Sequence, residues 1–203
     1  MIYNSKTIAN KSYDILPLSS DYQAMMGDVE SRFVAMFYGE SGGGKSVYSL
    51  QFANWFADNV GKALVNSHEE RFNKSLSDRI KNFNINSPQL FFADRLPFDK
   101  MVDKIKANYY RLLVIDSVQA MGFTEAELQE LIRVFSRRKL AILMISFGKT
   151  KGNPKDAVDL LHASDIKGWF KGGRVEFTSR YRDQPASKTL YIPNQHISTP
   201  TLF

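Results

Sequence analysis

One glycine-rich segment limits the folds open to this chain more than any other feature of its sequence. The segment reads Gly-Glu-Ser-Gly-Gly-Gly-Lys-Ser and matches the pattern G-x-x-x-x-G-K-[ST] at every fixed position. An apolar run at residues 32–38 precedes it, and residues 47–58 follow it with apolar side chains near helical spacing. A buried strand, a tight loop and a helix in this order are the setting in which the pattern binds phosphate. The predicted phosphate loop therefore comprises Gly39, Glu40, Ser41, Gly42, Gly43, Gly44, Lys45 and Ser46.

Each type of residue in the phosphate loop has its own physical role. Glycines let the backbone wrap closely around a phosphate group and turn its N–H groups inward. The helix that begins near Lys45 presents the positive end of its dipole to the same anion. We expect Lys45 to reach the β- and γ-phosphates of a nucleotide, and the Ser46 hydroxyl to bind Mg²⁺.

The remaining pattern predicts an α/β fold with a mostly parallel central sheet flanked by helices, because strand-like apolar runs alternate with helical stretches. Strands are predicted at 32–38, 62–67, 89–93, 111–116 and 140–146, and helices at 47–58, 72–83, 98–109 and 124–138. After residue 147 the pattern changes. Short strand-like pieces near 165–170, 173–179 and 188–193 predict an antiparallel C-terminal extension of the sheet.

Length and composition predict a single domain over residues 1–203, with residues 1–30 as an N-terminal arm packed on the core. The chain contains no cysteine, which excludes disulfide frameworks and thiolate metal sites. No apolar run approaches the ~20 residues that span a bilayer, and the first residues lack an apolar signal core. We therefore expect a cytoplasmic protein with no membrane partner.

Acidic residues follow two of the predicted strands. Asp116 ends an apolar run that begins at Leu112, and Glu69 and Glu70 follow the strand at 62–67. Open α/β sheets bind their ligands at the carboxyl ends of the strands. Asp116 is therefore a candidate for holding Mg²⁺, and either glutamate could take a proton from a water that attacks the γ-phosphate.

Together these three sites resemble the RecA superfamily, and within it the RadA and DnaB branches. Residues 112–121, Leu-Leu-Val-Ile-Asp-Ser-Val-Gln-Ala-Met, look like the RadA stretch around its Mg²⁺-binding aspartate. Residues 63–70, Ala-Leu-Val-Asn-Ser-His-Glu-Glu, look like the family strand that ends in the catalytic glutamate, and Glu69 falls on that glutamate. The resemblance covers about residues 20–193 and implies a RecA-like P-loop ATPase that uses ATP and Mg²⁺.

The resemblance also implies an assembly of several copies. Residues 178–181, Thr-Ser-Arg-Tyr, resemble the K-N-R-F stretch of RadA, whose arginine enters the active site of the neighbouring subunit. By this likeness Arg180 joins Lys45 and Glu69 as a catalytic residue, and the chain forms a homo-oligomer.

Two positions depart from the family: Thr178 replaces its lysine, and Phe147 replaces a polar residue that senses the γ-phosphate in many relatives. Ser146 could take over that sensing role.

The distribution of charge favours a nucleic-acid partner. The net charge is +6, and residues 133–182 hold 12 basic residues against 4 acidic ones. Lys149, Lys151 and Lys155 fall in a loop at 148–155, where RecA-like proteins place a DNA-contacting loop. These lysines could bind the phosphates of single-stranded DNA. A solvated, mobile loop would show the same pattern.

The sequence therefore predicts a Mg-ATP-dependent ATPase that works as an oligomeric DNA-acting motor or as an accessory of recombination or replication. The alternative is an ATP-dependent switch or scaffold, similar to KaiC, that binds protein rather than DNA. Phe147 and Thr178 favour this alternative.

A small-molecule kinase is disfavoured because no arginine-rich lid is visible in the sequence. A GTPase is disfavoured because Asn73-Lys74 is followed by Ser-Leu rather than by x-Asp.

Overall fold

The structure is a computed structural model that describes residues 2–69, 71–148 and 152–191. Its strands are β1 (Val34–Gly39), β2 (Ala63–Ser67), β3 (Leu90–Asp94), β4 (Leu112–Asp116), β5 (Ala141–Phe147), β6 (Ile166–Lys171), β7 (Arg174–Ser179) and β8 (Ala186–Thr189). Its helices are α1 (Ser5–Ala9), α2 (Ser20–Met26), α3 (Lys45–Asn59), α4 (Lys74–Asn82), α5 (Phe98–Asn108), α6 (Val118–Met121), α7 (Glu125–Val134) and α8 (Val158–His162). The fold is α/β, with one central sheet between layers of helices.

The sheet of the described chain has eight strands in the order β3-β2-β4-β5-β1-β6-β7-β8. The strands from β3 to β6 in that order run parallel, and β7 and β8 add to the edge in antiparallel orientation. The prediction of a mostly parallel sheet with a short antiparallel C-terminal part is confirmed. The antiparallel part begins one strand later than expected, because β6 returns through α8 and pairs in parallel with β1. The strand predicted at 188–193 begins earlier, since β8 covers Ala186–Thr189, and residues 192–193 lie outside the described residues.

Successive residues of β1 pack into two separate hydrophobic cores, one on each face of the sheet. Ala35 and Phe37 join the core beneath α2 and α3, whereas Val34 and Met36 join the core beneath α5 and α7. This alternation follows from the twofold repeat of a strand. A strand that is buried on both faces has an uninterrupted apolar sequence. For this reason β1, β4 and β5 could be predicted from the sequence.

Side-chain caps fix the first residues of two helices. The helix predicted from residue 72 begins at Lys74, because the Asn73 side chain accepts a hydrogen bond from the Leu76 amide and caps the first turn. The helix predicted from residue 124 begins with a capping box between Thr124 and Glu127, as the sequence indicates. It ends at Val134 rather than at residue 138.

The first 30 residues divide into two parts. Helix α1 contributes no buried residue, whereas Leu16, Tyr22, Met26 and Val29 are all buried in the core beneath α3. Tyr22 packs edge-on against Phe52 of α3, with 5.0 Å between ring centroids. The segment from residue 16 onward therefore helps to hold α3, which begins at the phosphate loop. No helix of the described ranges is long and apolar enough to cross a membrane.

Candidate functional site

The phosphate loop connects the end of β1 to the start of α3 at the carboxyl edge of the sheet. Gly39 has a φ of +139°, and a Cβ atom built there would lie 2.0 Å from the carbonyl oxygen of Phe170. Only glycine fits this position, because both the backbone angle and the neighbouring strand exclude a side chain. Gly44, with a φ of +95°, then turns the chain into α3.

The first turn of α3 is open to an anion. The first N–H groups of any α-helix lack intrahelical acceptors, and here no side chain caps them. Such groups and the helix dipole together attract phosphate oxygens. The backbone at the start of α3 therefore has the geometry that the sequence pattern predicts.

The Lys45 side chain bonds to the backbone of the phosphate loop. Its side chain is buried, and Nζ donates hydrogen bonds to the carbonyl oxygens of Gly39 at 2.9 Å and Glu40 at 2.7 Å. Burial lowers the pKa of Lys45, and the nearby carboxylates of Glu69, Asp116 and Glu40 act in the opposite direction. The ammonium group is thus held between the loop and the carboxylates of neighbouring strands.

Two adjoining cavities surround these groups. The first, which we call the loop cavity, has a volume of about 400 Å³ and is lined by residues 41–48 together with Glu69 and residues of α3, α4, β5 and the segment after β8. The second, which we call the arginine cavity, has a volume of about 540 Å³ and is lined by Ser46, Glu69, Arg71, Asn73, Arg79, Arg95 and Asp116. Ser46, Glu69 and Arg79 line both cavities.

The residues at this junction fit a magnesium ion. The Ser46 hydroxyl and the buried Asp116 carboxylate line the same cavity, and both are oxygen donors of the kind that Mg²⁺ prefers. Mg²⁺ usually needs only one or two protein ligands, because phosphates and water fill its remaining positions.

Glu69 is placed beside Asp116 by the backbone. β2 and β4 are neighbours in the sheet, with Ser67 paired to Asp116. Just beyond β2, the Glu69 amide donates to the Asp116 carbonyl oxygen at 3.0 Å. Glu69 therefore lies where the sequence predicts a proton acceptor, whereas Glu70 falls outside the described residues.

Gln119 was not identified from the sequence. Its side chain donates to the Ser146 hydroxyl at 2.7 Å and accepts from the Phe147 amide at 3.3 Å. Both Ser146 and Phe147 line the loop cavity. At the end of β5, Gln119 thus fixes the Ser146 hydroxyl in the loop cavity, beside Phe147, which departs from the family pattern.

Beyond residues 41–48, much of the loop cavity is lined by side chains that belong to no motif of the sequence. Gln51, Arg79, Phe83, Leu190 and Tyr191 line it. The Tyr191 hydroxyl donates a hydrogen bond to the Gly42 carbonyl, which ties the segment after β8 to the phosphate loop. These residues meet only through the tertiary fold, so spacing in the sequence does not reveal them.

Arg180 is not brought to the phosphate loop of its own chain. It follows Ser179, which pairs with Ile166 at the beginning of β6, whereas the phosphate loop lies at the other end of the parallel strands. Its guanidinium group pairs with Asp165 at 3.0 Å. An action of Arg180 on this kind of site thus requires a neighbouring copy, and that role stays a prediction.

The predicted nucleic-acid loop is described only in part. Lys149 and Lys151 lie outside the described residues. Lys155 is exposed, and its amide donates to the Phe147 carbonyl at 2.7 Å, which places it at the same sheet edge as the phosphate loop. Other basic residues of the 133–182 region form ion pairs at separate places, such as Arg133 with Glu130 and Lys139 with Asp14.

Comparisons with solved structures identify the fold. The chain is similar to a KaiC-like protein from Pyrococcus horikoshii OT3, with a TM-score of 0.64, 14% identity and coverage of 88% of this chain and 93% of that one. It is similar to the flagellar accessory protein FlaH from Methanocaldococcus jannaschii, with a TM-score of 0.60, 17% identity and coverage of 83% and 87%. A third similar structure is an isolated ATPase domain, with a TM-score of 0.60, 11% identity and coverage of 91% of both chains.

No protein-family model matches the chain, and no curated protein matches it in sequence. The structural likeness is nevertheless consistent across all three proteins, and each similarity covers most of both chains. The chain has the RecA-like fold of P-loop ATPases, as the resemblance in sequence implied.

Proposed function

We propose that the chain binds Mg-ATP in the loop cavity and hydrolyses it. One observation carries this proposal: Lys45, Ser46, Glu69 and Asp116 line two cavities that adjoin at the carboxyl edge of the sheet. The lysine and the first turn of α3 suit the phosphates of the nucleotide. The hydroxyl and the buried carboxylate suit the metal that accompanies them.

The side chains that line the loop cavity outside residues 41–48 would contact the nucleoside. Phe83 and Tyr191 supply aromatic faces and Arg79 supplies a planar guanidinium group, and both kinds of group stack on bases. The phosphates would then extend along residues 42–46 toward the arginine cavity. This direction places the terminal phosphate near Glu69 and Asp116.

Hydrolysis would depend on Glu69 and Lys45. The Glu69 carboxylate would accept the proton of the attacking water, and Lys45 would stabilise negative charge on the β- and γ-oxygens. Mg²⁺ held by Ser46 and Asp116 would neutralise the charge that develops on the phosphate oxygens. Arg180 of a neighbouring copy would add positive charge, so the active unit would be a homo-oligomer.

The basic loop supports a nucleic-acid partner, with single-stranded DNA as the first candidate. Lys155 lies at the sheet edge that carries the nucleotide site, so binding there could be coupled to the state of the nucleotide. The chain would then act as an oligomeric motor or as an accessory of replication or recombination.

A switch or scaffold that binds protein is the second candidate. Phe147 at the end of β5 and Thr178 on β7 favour it. The first replaces a polar residue that senses the γ-phosphate in many relatives, and the second replaces the lysine beside the family's trans-acting arginine. The ion pairs of Arg133, Lys139 and Arg180 also reduce the basic surface that is open to DNA.

Hydrolysis of ATP with and without nucleic acid distinguishes the two candidates. Rates are measured with no addition, with single-stranded DNA, with double-stranded DNA and with RNA, and a Lys45→Ala variant gives the background. Stimulation by single-stranded DNA supports the motor. Slow hydrolysis that no nucleic acid changes supports the switch, and a rate equal to the Lys45→Ala background overturns the ATPase proposal.

A further inference from the structure

Three arginines from separate segments line one wall of the site. Arg71 lies in the loop after β2, Arg79 lies on α4, and Arg95 follows β3. All three line the arginine cavity with Ser46, Glu69 and Asp116. The sequence shows no arginine-rich segment because these residues are widely spaced and meet only in the fold.

The backbone holds Arg95 in a specific and unfavourable conformation. Its φ is +52°, in the left-handed region that costs a residue with a side chain about 1–2 kcal/mol. Its amide donates to the Ser67 carbonyl at 3.0 Å, which fixes it to the end of β2. Strained backbone of this kind persists only where the surrounding structure enforces it, and it is concentrated at functional sites.

A buried amide enforces this turn. Asn66 is fully buried in β2, and its side chain accepts from the Leu96 amide at 2.9 Å and donates to the Leu96 carbonyl at 2.8 Å. A polar side chain inside an apolar strand is costly unless its hydrogen bonds are satisfied. Here both are satisfied by the residue next to Arg95, so Asn66 directly positions the turn that carries Arg95.

The charges in the arginine cavity favour an anion. Among the described residues, the side chains of Arg71 and Arg95 form no ion pair, unlike those of Arg133 and Arg180. Among the residues that the structure describes, three guanidinium groups and the two carboxylates of Glu69 and Asp116 line the cavity. Arginine binds phosphate oxygens with paired N–H donors, so it suits this ligand better than lysine does.

Register across the sheet relates Arg95 to the proposed metal position. Asp94, Ser67 and Asp116 are aligned across β3, β2 and β4. Strands are about 4.8 Å apart, so the backbone at Arg95 lies roughly 10 Å from that at Asp116. An extended arginine side chain and a phosphate group together span such a gap.

We propose that Arg71 and Arg95 form a phosphate-binding site within the same molecule, which holds the terminal phosphate of the nucleotide and the inorganic phosphate that hydrolysis releases. This proposal rests on the proposed function, since the nucleotide occupies the adjoining loop cavity. It places positive charge near the γ-phosphate without a neighbouring copy, whereas Arg180 requires one.

Release of fluorescently labelled ADP tests the site. Beryllium fluoride mimics a terminal phosphate, so it should slow the release of Mg-ADP from the unmodified chain. In the Arg71→Gln/Arg95→Gln variant this slowing should fall about tenfold, because charge-assisted hydrogen bonds to the phosphate mimic are lost. Release of Mg-ADP without beryllium fluoride should change less than about twofold. Arg137→Gln, at an exposed position in the turn between α7 and β5, is the matched control.

The outcomes separate this proposal from the proposed function. Mg-ADP that does not bind the unmodified chain overturns both. Mg-ADP that binds normally, with beryllium fluoride acting equally on the unmodified chain and the double variant, overturns only the phosphate site. The same holds if beryllium fluoride has no effect on the unmodified chain. If the double variant loses Mg-ADP affinity equally with and without beryllium fluoride, the arginines bind the nucleotide as a whole. That result also overturns the phosphate site.

Two further variants complete the test. Arg95→Lys keeps the charge but lacks the paired donors, so it should retain only part of the slowing. Mixing the double variant with Glu69→Gln should restore no hydrolysis, because both defects lie in the same site of one molecule. Recovery on mixing would show that the arginines act across an interface and would overturn their placement within one molecule.

Discussion

The amide nitrogen of Glu69 lies 3.0 Å from the carbonyl oxygen of Asp116 and donates a hydrogen bond to it. The two residues follow neighbouring parallel strands, and this bond fixes the start of the loop after β2 against the end of β4. The proposed proton acceptor and the proposed metal ligand are therefore positioned by main-chain atoms. Side-chain substitutions at either residue should leave this arrangement in place, so they test chemistry rather than folding.

Replacing Lys45 with alanine should weaken the binding of Mg-ATP about 10- to 100-fold. The ammonium group would form charge-assisted hydrogen bonds to the phosphates, and alanine offers none. Isothermal titration calorimetry measures the affinity, and Lys62→Ala, at an exposed position, serves as the control. Unchanged affinity together with unchanged turnover would contradict the assignment of the phosphate loop.

Replacing Glu69 with glutamine should slow hydrolysis about 10²- to 10⁴-fold while ATP still binds. An amide has nearly the same shape as the carboxylate but cannot accept the proton of the attacking water. Single-turnover hydrolysis and nucleotide binding are measured side by side, with Glu176→Gln on the exposed side of β7 as the control. If Glu70→Gln carries the rate loss instead, the catalytic position is the next residue. If neither changes the rate, the mechanism is wrong.

Two glycines of the phosphate loop should differ in their tolerance of alanine. At Gly39 an added Cβ would lie 2.0 Å from the Phe170 carbonyl oxygen, whereas at Gly42, with a φ of +71°, it would meet nothing within 4 Å. Gly42→Ala should therefore cost only the backbone strain of about 1–2 kcal/mol. Gly39→Ala should cost at least about 1 kcal/mol more, because β6 must move. Urea denaturation measures both free energies of unfolding, and equal costs would contradict the packing of the loop on β6.

The parts of the site that lie within one segment could be predicted from the sequence. The phosphate loop, the carboxylate of Asp116 and the position of Glu69 each follow an apolar strand directly, and the pattern of one strand is visible without knowledge of its neighbours. The same reasoning located the first five strands, β1 to β5, to within two residues at either end. Short helices such as α6 and α8 were missed, because four or five residues show too little periodicity.

The parts that depend on contacts between distant segments could not be predicted. Gln119 meets Ser146, and Tyr191 meets Gly42, only because strands remote in the sequence are neighbours in the sheet. The backbone at Arg95 adopts a left-handed conformation that its residue type disfavours, and it is held there by the hydrogen bond of its amide to Ser67 and by those between the Asn66 side chain and Leu96. No local rule gives this result, since tertiary hydrogen bonds override the local preference.

Arg180 should be replaceable without unfolding the protein. Its own side chain is largely exposed, so the ion pair with the partly covered Asp165 contributes about 0–1 kcal/mol. The other carboxylate oxygen of Asp165 remains bonded to the Val34 amide at 2.9 Å. The free energy of unfolding of Arg180→Ala should therefore stay close to that of the unmodified chain.

Mixing variants should reveal whether Arg180 works across an interface. Arg180→Ala and Glu69→Gln should each hydrolyse ATP slowly, and mixtures should recover part of the rate because some interfaces then hold one intact copy of each residue. Light scattering with ATP and DNA present reports the size of the assembly. No recovery at any ratio, together with a monomer in solution, would contradict the predicted action across subunits.

Replacing Lys149, Lys151 and Lys155 together with alanine should weaken binding to single-stranded DNA of any sequence. Each lysine that contacts a phosphate releases counterions, so the logarithm of the affinity should fall with the logarithm of the salt concentration by about 0.7 per contact. Three contacts in one chain give a slope of roughly −2, and the triple variant should flatten it. Fluorescence anisotropy at several salt concentrations measures the slope, and Lys100, Lys104 and Lys106 on the exposed side of α5 give a matched triple variant.

The outcome of this last test also decides between the two proposed partners. Hydrolysis of ATP without DNA should survive in the loop variant, because Lys155, the loop lysine that the structure describes, lines neither nucleotide cavity. Absence of binding by the unmodified chain at low salt, with ATP present, would remove the DNA-acting motor and favour the switch. Binding that persists in the loop variant but falls in the α5 variant would keep the nucleic-acid partner and move its site to another basic surface.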